Sequence, residues 1–370
     1  MKILSLFDGM ACGHIAFNEL GIDIECYKAY EIDKFAIKVA THNFPNIEEL
    51  GDVFKADFKQ YNDYDWLIGG SPCTYWSIAQ SPDKRETTSS GIGWELFSQY
   101  VRALNEAKPK YFLYENNKSM SKEIRKAITE TFGFEPICIN SALVSAQNRQ
   151  RLYWVGIRQD DGSYKKVDIK QPKDKGIVVK DILDETVDEI LGTDNEGKSK
   201  TLVACYYKDG QFDLIKGGNY SRTVLCNKVF ELPSAKEGKQ TNSQATRVYD
   251  IEHKSCTQSS QGGGQGARTG LYAVPDTTNK ALYVKDGYVD YKGKQYPIKL
   301  SDGYYIIRKL SVTECKRLQT VPNWYDMSCI SNSQAYKCLG NGWTVDVIKH
   351  LIKSALENSK KILKNFSQTP

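Results

Sequence analysis

The amino-acid sequence predicts an α/β fold, a parallel sheet with crossover helices, joined to a smaller, irregular, strand-rich region. Three observations point there. Short apolar runs alternate with helical patterns through residues 1–158, the rhythm of strands linked by helices. From about Gln159 to Gly303 that rhythm gives way to segments rich in lysine, tyrosine, asparagine and glycine. Helical spacing then returns over 304–370. A chain of 370 residues is long enough for two cores. The expected division is therefore 1–158, 159–303 and 304–370.

In chain order, the apolar runs predict strands at Ile3–Phe7, Ile24–Glu31, Trp66–Gly69, Tyr111–Tyr114, Ile137–Ala142 and Leu152–Ile157. Helices are expected at His14–Leu20, Lys34–Asn43, Trp94–Ala107 and Lys122–Thr131. Residues Thr74–Gly93 break the pattern with Ser, Thr, Pro, Asp and Gly, and a loop that long reads as a functional lid or as disorder. In the middle region strands look short, and Gln261–Gly266 must be loop. Ser311-Val-Thr-Glu314 forms a capping box ahead of Cys315–Gln319. Beyond Gly340-Asn341-Gly342, the residues Val345, Ile348, Ile352, Ala355 and Leu356 repeat at helical spacing, as a core-facing stripe does. The tail Asn365–Pro370 is expected to fray.

Composition narrows the class. No apolar run approaches the ~18 residues of a membrane span, and the start MKILSLFDGM lacks a secretory core. The ten cysteines are scattered with no Cys-x-x-Cys, and none of the four histidines pairs with one at zinc spacing. Reduced thiols, a cytoplasmic location and no metal are expected. A net charge of +5 permits a nucleic-acid partner without demanding one.

The chemistry-bearing residues gather where predicted strands end. Gly69-Gly70-Ser71-Pro72-Cys73 follows the apolar Trp66-Leu67-Ile68. In open α/β sheets ligands collect beyond the carboxyl ends of strands. The glycines allow close approach and Pro72 stiffens the path to Cys73. A positioned nucleophile and a small buried thiol both fit this pentapeptide. Leu4–Gly13 ends the first strand with small residues that let a ligand approach a helix amino terminus. It is not Gly-x-Gly-x-x-Gly, which argues against a nicotinamide or flavin dinucleotide. Glu31, closing the second strand, suits ribose hydroxyls, and Asp52 in Gly51-Asp52-Val53 suits the adenine of the same nucleoside-containing cofactor. Glu115 leaves the buried run Tyr111–Tyr114, where a carboxyl group needs a partner or a raised pKa. Gln147-Asn-Arg149-Gln-Arg151 offers planar donors for phosphates or carbonyl oxygens, although a solvated basic edge would look the same.

Taken in order, these segments resemble the DNA (cytosine-5) methyltransferase family. Its ordered motifs appear as Ser5–Gly13, Tyr30–Asp33, Gly51–Val53, Gly69–Cys73, Tyr114–Asn117, Gln147–Arg151, Arg308–Thr320 and Leu339–Thr344. The likeness covers residues 1–158 and 304–356 and leaves the middle as the target-recognition region. SLFDGMACG and GGSPCTYWSIA look like the mammalian de novo branch, while Arg308–Gln319 and Gly340-Asn341 look like bacterial and phage enzymes. The chain departs from the bacterial pattern at Thr74, Ala11, Cys12 and Gly342-Trp343. Ile32 stands where an adenine-stacking aromatic is common, which puts that contact in doubt.

The resemblance implies a Rossmann-like S-adenosylmethionine-dependent methyltransferase sheet acting on a flipped cytosine in double-stranded DNA. Cys73 would attack carbon 6, Glu115 would hold ring nitrogen 3 and the amine, and Arg151 with Arg149 would bind the carbonyl oxygen or a phosphate. Phe7, Asp8, Gly9, Glu31, Ile32, Asp52, Val53, Pro72, Asn341 and Trp343 would enclose S-adenosylmethionine. Transfer RNA as the substrate and a catalytically silent DNA-binding regulator are the alternatives. A monomer is expected; the recognised sequence, a restriction-endonuclease partner and a host or phage role stay open.

Overall fold

The fold was analysed in a computed structural model. The structure describes residues 1–76, 82–184, 189–191, 193, 195–199, 201–202, 204, 224–230, 248–250, 271–273, 282–291, 294–298, 300–308 and 310–366. The chain divides into two compact units, one of residues 1–184, 194–208 and 311–370, the other of 185–193 and 209–310. Residues 159–184, which the amino-acid pattern assigned to the middle region, thus lie with the first unit.

The first unit is built on strands β1 (Lys2–Leu6), β2 (Cys26–Tyr30), β3 (Ile47–Glu49), β4 (Trp66–Gly69), β5 (Tyr111–Asn117), β6 (Ile137–Asn140), β7 (Gln150–Arg158) and β8 (Tyr164–Lys166). They form one sheet in the order β3-β2-β1-β4-β5-β7-β6, with β8 on β7. The helices are α1 (Cys12–Glu19), α2 (Lys34–Asn43), α3 (Ile92–Ala107), α4 (Lys122–Phe132), α5 (Val312–Leu318), α6 (Asn332–Asn341) and α7 (Val345–Phe366). β1 pairs in parallel with β2 and β4, so the strand order reverses beside it. That reversal opens a crevice at the strands' carboxyl ends.

The expected parallel sheet is present from β3 through β2, β1 and β4 to β5, with a departure at one end. The sheet is not wholly parallel, because β7 runs antiparallel to both β5 and β6. Only residues 141–149 link β6 to β7, too short for a crossover, whereas an antiparallel neighbour needs only a turn. The expected strand Ile137–Ala142 ends early for a local reason. The Asn140 side chain accepts the Ala142 and Arg149 amides at 3.2 and 2.9 Å, turning the chain.

Aromatic rings fill the space between the sheet and α3/α4. Phe97, Tyr100, Phe112, Tyr114, Phe132 and Trp154 are buried in one cluster, Phe132 meeting Phe97 edge-on at 5.6 Å. Burying each such ring contributes ~1.5–3 kcal/mol. α7 packs on α1 and β7 through Val345, Ile348, Ile352 and Ala355, while Leu356 is half-buried. The expected capping box is present: Ser311 Oγ accepts the Glu314 amide at 3.1 Å, and the Glu314 carboxylate accepts the Ser311 amide at 2.6 Å.

The Thr74–Gly93 loop is pinned at its described flanks. Trp76 is buried and donates to Glu86, and the Arg85 guanidinium donates to the Ser119 carbonyl at 2.6 Å. Among the described residues of the second unit, strands β9 (Glu189–Leu191), β10 (Val224–Phe230), β13 (Leu282–Lys285), β14 (Tyr288–Tyr291), β15 (Lys294–Pro297) and β16 (Gly303–Arg308) form an antiparallel sheet. β11 (Val248–Asp250) pairs in parallel with β12 (Leu271–Ala273). The expected loop Gln261–Gly266 and the end of the tail, 367–370, fall outside the described residues. No described helix is long and apolar enough to cross a membrane.

Candidate active site

Sheet register explains why the candidates meet. Tyr30, Leu6, Gly69 and Tyr114 lie side by side as the paired residues of β2, β1, β4 and β5. One residue further along, the same row reads Glu31, Phe7, Gly70 and Glu115. Four segments distant in sequence therefore present their next residues at one edge of the sheet. A cavity of about 270 Å³ opens there.

On one side of the cavity the turn after β1 is strained. Phe7, Gly9 and Ala11 all have left-handed backbones, with φ of 58, 61 and 59°. A non-glycine residue in this region costs on the order of 1 kcal/mol and is retained where surroundings enforce it. Here the Tyr30 carbonyl accepts the Phe7 amide at 2.8 Å. Asp8 is held by the hydroxyls of Ser5 and Tyr27, which donate to one carboxylate oxygen, while the other, buried, has no hydrogen-bond partner among the described residues. Burial, and to a lesser extent the Glu31 charge, raise its pKa to about 6, although both hydroxyls pull it down. Glu31 is bound differently from expectation. Its Oε1 accepts the amides of Ile32 and Asp33, and its Oε2 that of Gly9, each at 2.8 Å. The carboxylate thus braces the turn and keeps acceptor capacity at Oε2.

On the other side, the loop after β4 is clamped from beneath. Ser71 Oγ meets the Tyr114 hydroxyl at 2.6 Å, and Asn116 Nδ2 donates to the Ser71 carbonyl at 3.1 Å. All three side chains are buried. Pro72 and Thr74 line the cavity, and the backbone of Cys73 between them opens a short 3₁₀ turn, Cys73–Tyr75. Gly70 is needed as glycine: a Cβ there would stand 2.8 Å from Glu115 Oε2 and 3.0 Å from the Glu115 carbonyl oxygen.

Glu115 and Arg151 share a face because Glu115 pairs with Tyr153 on β7 and Arg151 lies two residues away. Arg151 Nε sits 3.1 Å from Glu115 Oε1, and Trp343 Nε1 donates to Oε2 at 2.9 Å. Arg149 points elsewhere. Its buried guanidinium donates to the carbonyls of Leu202, Gly340 and Gly342 at 3.0, 3.2 and 2.9 Å. It braces the carboxyl end of α6, where unpaired helix carbonyls favour a cation.

The cavity wall takes in Phe7, Asp8, Gly9, Glu31, Pro72 and Glu115. Arg149, Arg151, Asn341 and Trp343 complete the set of expected residues on it. Ile32, Asp52 and Val53 are not on that wall. Ile32 is 77% exposed, Val53 is buried in the aromatic core, and Asp52 Oδ1 caps the turn Val53–Lys55 by accepting the Phe54 amide at 3.0 Å.

The amino-acid pattern did not single out Tyr114 and Asn116 beneath the loop, or Lys337, whose ammonium meets Asp33 at 2.6 Å beside the cavity. Nor did it indicate that Gln147, read there as a planar donor beside Arg149, and Gln319 are both buried and serve as backbone anchors. Gln147 Nε2 donates to the Leu318 carbonyl at 3.2 Å, and Gln319 Nε2 to the Leu339 carbonyl at 2.7 Å. Through them the segment ending at Trp343 is tied to the turn preceding β7. An asparagine directly after Glu115, inside a strand, was the available signal for Asn116, because a buried amide needs partners.

Comparison with known proteins places the chain in a family. The family model for C-5 cytosine-specific DNA methylase matches residues 1–357. The orphan methyltransferase M.Rho11sI of Bacillus phage rho11s is 30% identical over 335 residues, 79% of this chain and 63% of the phage protein. The orphan methyltransferase M.SPRI of Bacillus phage SPR is 27% identical, with 96% of this chain and 97% of that protein aligned. Among solved structures, DNMT2 of Spodoptera frugiperda superposes with a TM-score of 0.56 at 19% identity, covering 95% of this chain and 98% of that one. The Entamoeba histolytica methyltransferase EhMeth does so with 0.54 at 13%, covering 97% and 98%. The two solved structures share the fold alone. With the family model spanning both the strand-end cavity and the segment that returns to it, the chain belongs to the C-5 cytosine-specific DNA methylase family.

Proposed function

We propose that this chain transfers a methyl group from S-adenosylmethionine to carbon 5 of a flipped-out cytosine in double-stranded DNA, through a covalent adduct at Cys73. One observation carries the reading: Gly70, Ser71, Pro72 and Thr74, which flank Cys73 in sequence, border a single cavity with Glu115, Arg151 and the acidic turn after β1. The residues on that wall fit the cofactor. The orphan oxygen of Asp8 and the remaining acceptor capacity of Glu31 suit its cationic and hydroxyl groups, and Phe7 adds an apolar face. When bound, it supplies an electrophilic methyl on a sulfonium sulfur.

The remaining chemistry belongs to the chain. The Cys73 thiolate adds to carbon 6, and the electrons displaced make carbon 5 nucleophilic. Glu115 hydrogen-bonds ring nitrogen 3 and the exocyclic amine, steadying charge as it shifts in the ring. Arg151, next to Glu115, binds the carbonyl oxygen at position 2. After carbon 5 takes the methyl and S-adenosylhomocysteine departs, carbon 5 gives its proton to solvent water. The electrons of that bond restore the carbon 5–carbon 6 double bond, and the carbon 6–sulfur bond breaks to regenerate the thiolate. Arg149 holds the wall of the cavity rather than the base, as its three carbonyl contacts indicate. The base must leave the stack, at a cost of a few kcal/mol. Residues 209–310 of the second unit then read the DNA sequence, since a β-ribbon fits the major groove.

A tritium-transfer assay with labelled cofactor tests this. Cys73→Ala should abolish transfer to duplex DNA and leave S-adenosylhomocysteine binding within about twofold of wild type, as expected when only the nucleophile is lost. Full turnover by the alanine variant would refute the mechanism. Preferential labelling of transfer RNA in a competition would transfer the reading to RNA.

A further inference from the structure

We infer that Trp343 is a positioning residue for Glu115, acting through its indole N–H rather than only as a wall of the cofactor cavity. This rests on the function proposed above, in which Glu115 holds the target base. The terminal torsion of a glutamate is soft, so a single contact to Arg151 would leave its carboxyl plane free to rotate. An ion-pair contact on one oxygen and a hydrogen bond on the other define the plane. Arg151 Nε lies 3.1 Å from Oε1 and Trp343 Nε1 lies 2.9 Å from Oε2.

The second contact is supported on every side. Both chain neighbours of Trp343 are fixed: the Gly342 carbonyl accepts from Arg149 at 2.9 Å, and Thr344 Oγ1 donates to Gln319 at 2.9 Å and meets Ser141 Oγ at 2.8 Å. From below, Gly70 leaves the space that the contact occupies. A Cβ at Gly70 would stand 2.8 Å from Glu115 Oε2 and 3.5 Å from Trp343 Nε1. Three segments remote in sequence thus shape one hydrogen bond. Catalytic groups need such support, because a small misplacement costs rate even where binding is unaffected.

The test separates the N–H from the ring. In Trp343→Phe, and with β-(3-benzothienyl)alanine incorporated at 343 alone, kcat for tritium transfer should fall about tenfold or more, the size expected of a displaced catalytic group. With the benzothienyl side chain, the KM for duplex DNA and the Kd for S-adenosylhomocysteine should stay within about twofold, because the apolar surface is kept. Incorporation of 5-fluorotryptophan, which keeps the N–H, should restore kcat to within about twofold. Wild-type kcat with the benzothienyl side chain would overturn the inference, as would a loss confined to cofactor binding. Should the phenylalanine variant fail to fold, the near-isosteric benzothienyl variant decides alone. An inactive wild-type chain, or a Glu115→Gln variant with undiminished turnover, would instead refute the underlying reading.

Discussion

Glu49, the last residue of β3, keeps a carboxyl group whose two oxygens are shut away from water and have no hydrogen-bond partner among the described residues. Burial first, then the nearby charges of Asp8 and Glu31, push its pKa to about 8 from an ordinary 4.5. The folded protein therefore holds a proton there that the unfolded chain releases. Between pH 4.5 and 8 the unfolded state binds fewer protons than the native state, so this group's contribution to stability falls as pH rises and levels off above 8. Glu49→Gln should match wild type in denaturant melts below pH 4.5 and become progressively more stable up to about pH 8. Parallel stability curves over that range would contradict this. Cys73 and Trp343 carry the catalytic tests at the same scale, one through the forming bond and the other through the orientation of Glu115.

Helix α5 is too short to persist alone, and its ends show what holds it. Its capping box satisfies two amides, and the fully buried Glu314 also accepts the Asp184 amide at 3.1 Å. Asp184 in turn takes the Ser311 hydroxyl at 2.9 Å and Arg317 at 2.8 Å. The helix leads directly into Gln319, which anchors Leu339 and Thr344 next to the cavity. Ser311→Ala should cost about 1 kcal/mol of stability, measured by urea unfolding. A cost indistinguishable from zero would show that Asp184 alone holds the helix start. β7 has the corresponding role on the other side: as the reversed strand between β5 and β6, it sets Arg151 diagonally opposite Glu115.

Over the whole molecule, the described cavity residues all fall in the first unit, whereas the second unit contributes antiparallel strands. If that division separates chemistry from recognition, exchanging residues 209–310 for the corresponding region of the SPR phage methyltransferase should change the methylated sequence found by bisulfite sequencing. The single-turnover rate on each enzyme's own site should change less than about tenfold, since the transferring groups are untouched. An unchanged methylation pattern would place recognition in the first unit.

Local physics was readable from residue order. Strand hydrophobicity, the Ser311–Glu314 box and the helical stripe from Val345 depend on neighbours within a turn or two, and the structure contains each of them. The strand-end positions of Glu31 and Gly70 followed for the same reason, since alternation between apolar run and loop marks where strands stop. Glu115, by contrast, lies inside β5, which pairing with β7 extends to Asn117. Three-residue β3 left too short a pattern to detect. Partnership was another matter. The reversal of β7, the diversion of Arg149 to helix carbonyls and the contact of Glu31 with the Gly9 amide involve contacts across tens to hundreds of residues. An arginine or a glutamate has the same donors and acceptors wherever it stands in the chain. Only folding decides which of them it spends on its own backbone and which remain for a substrate.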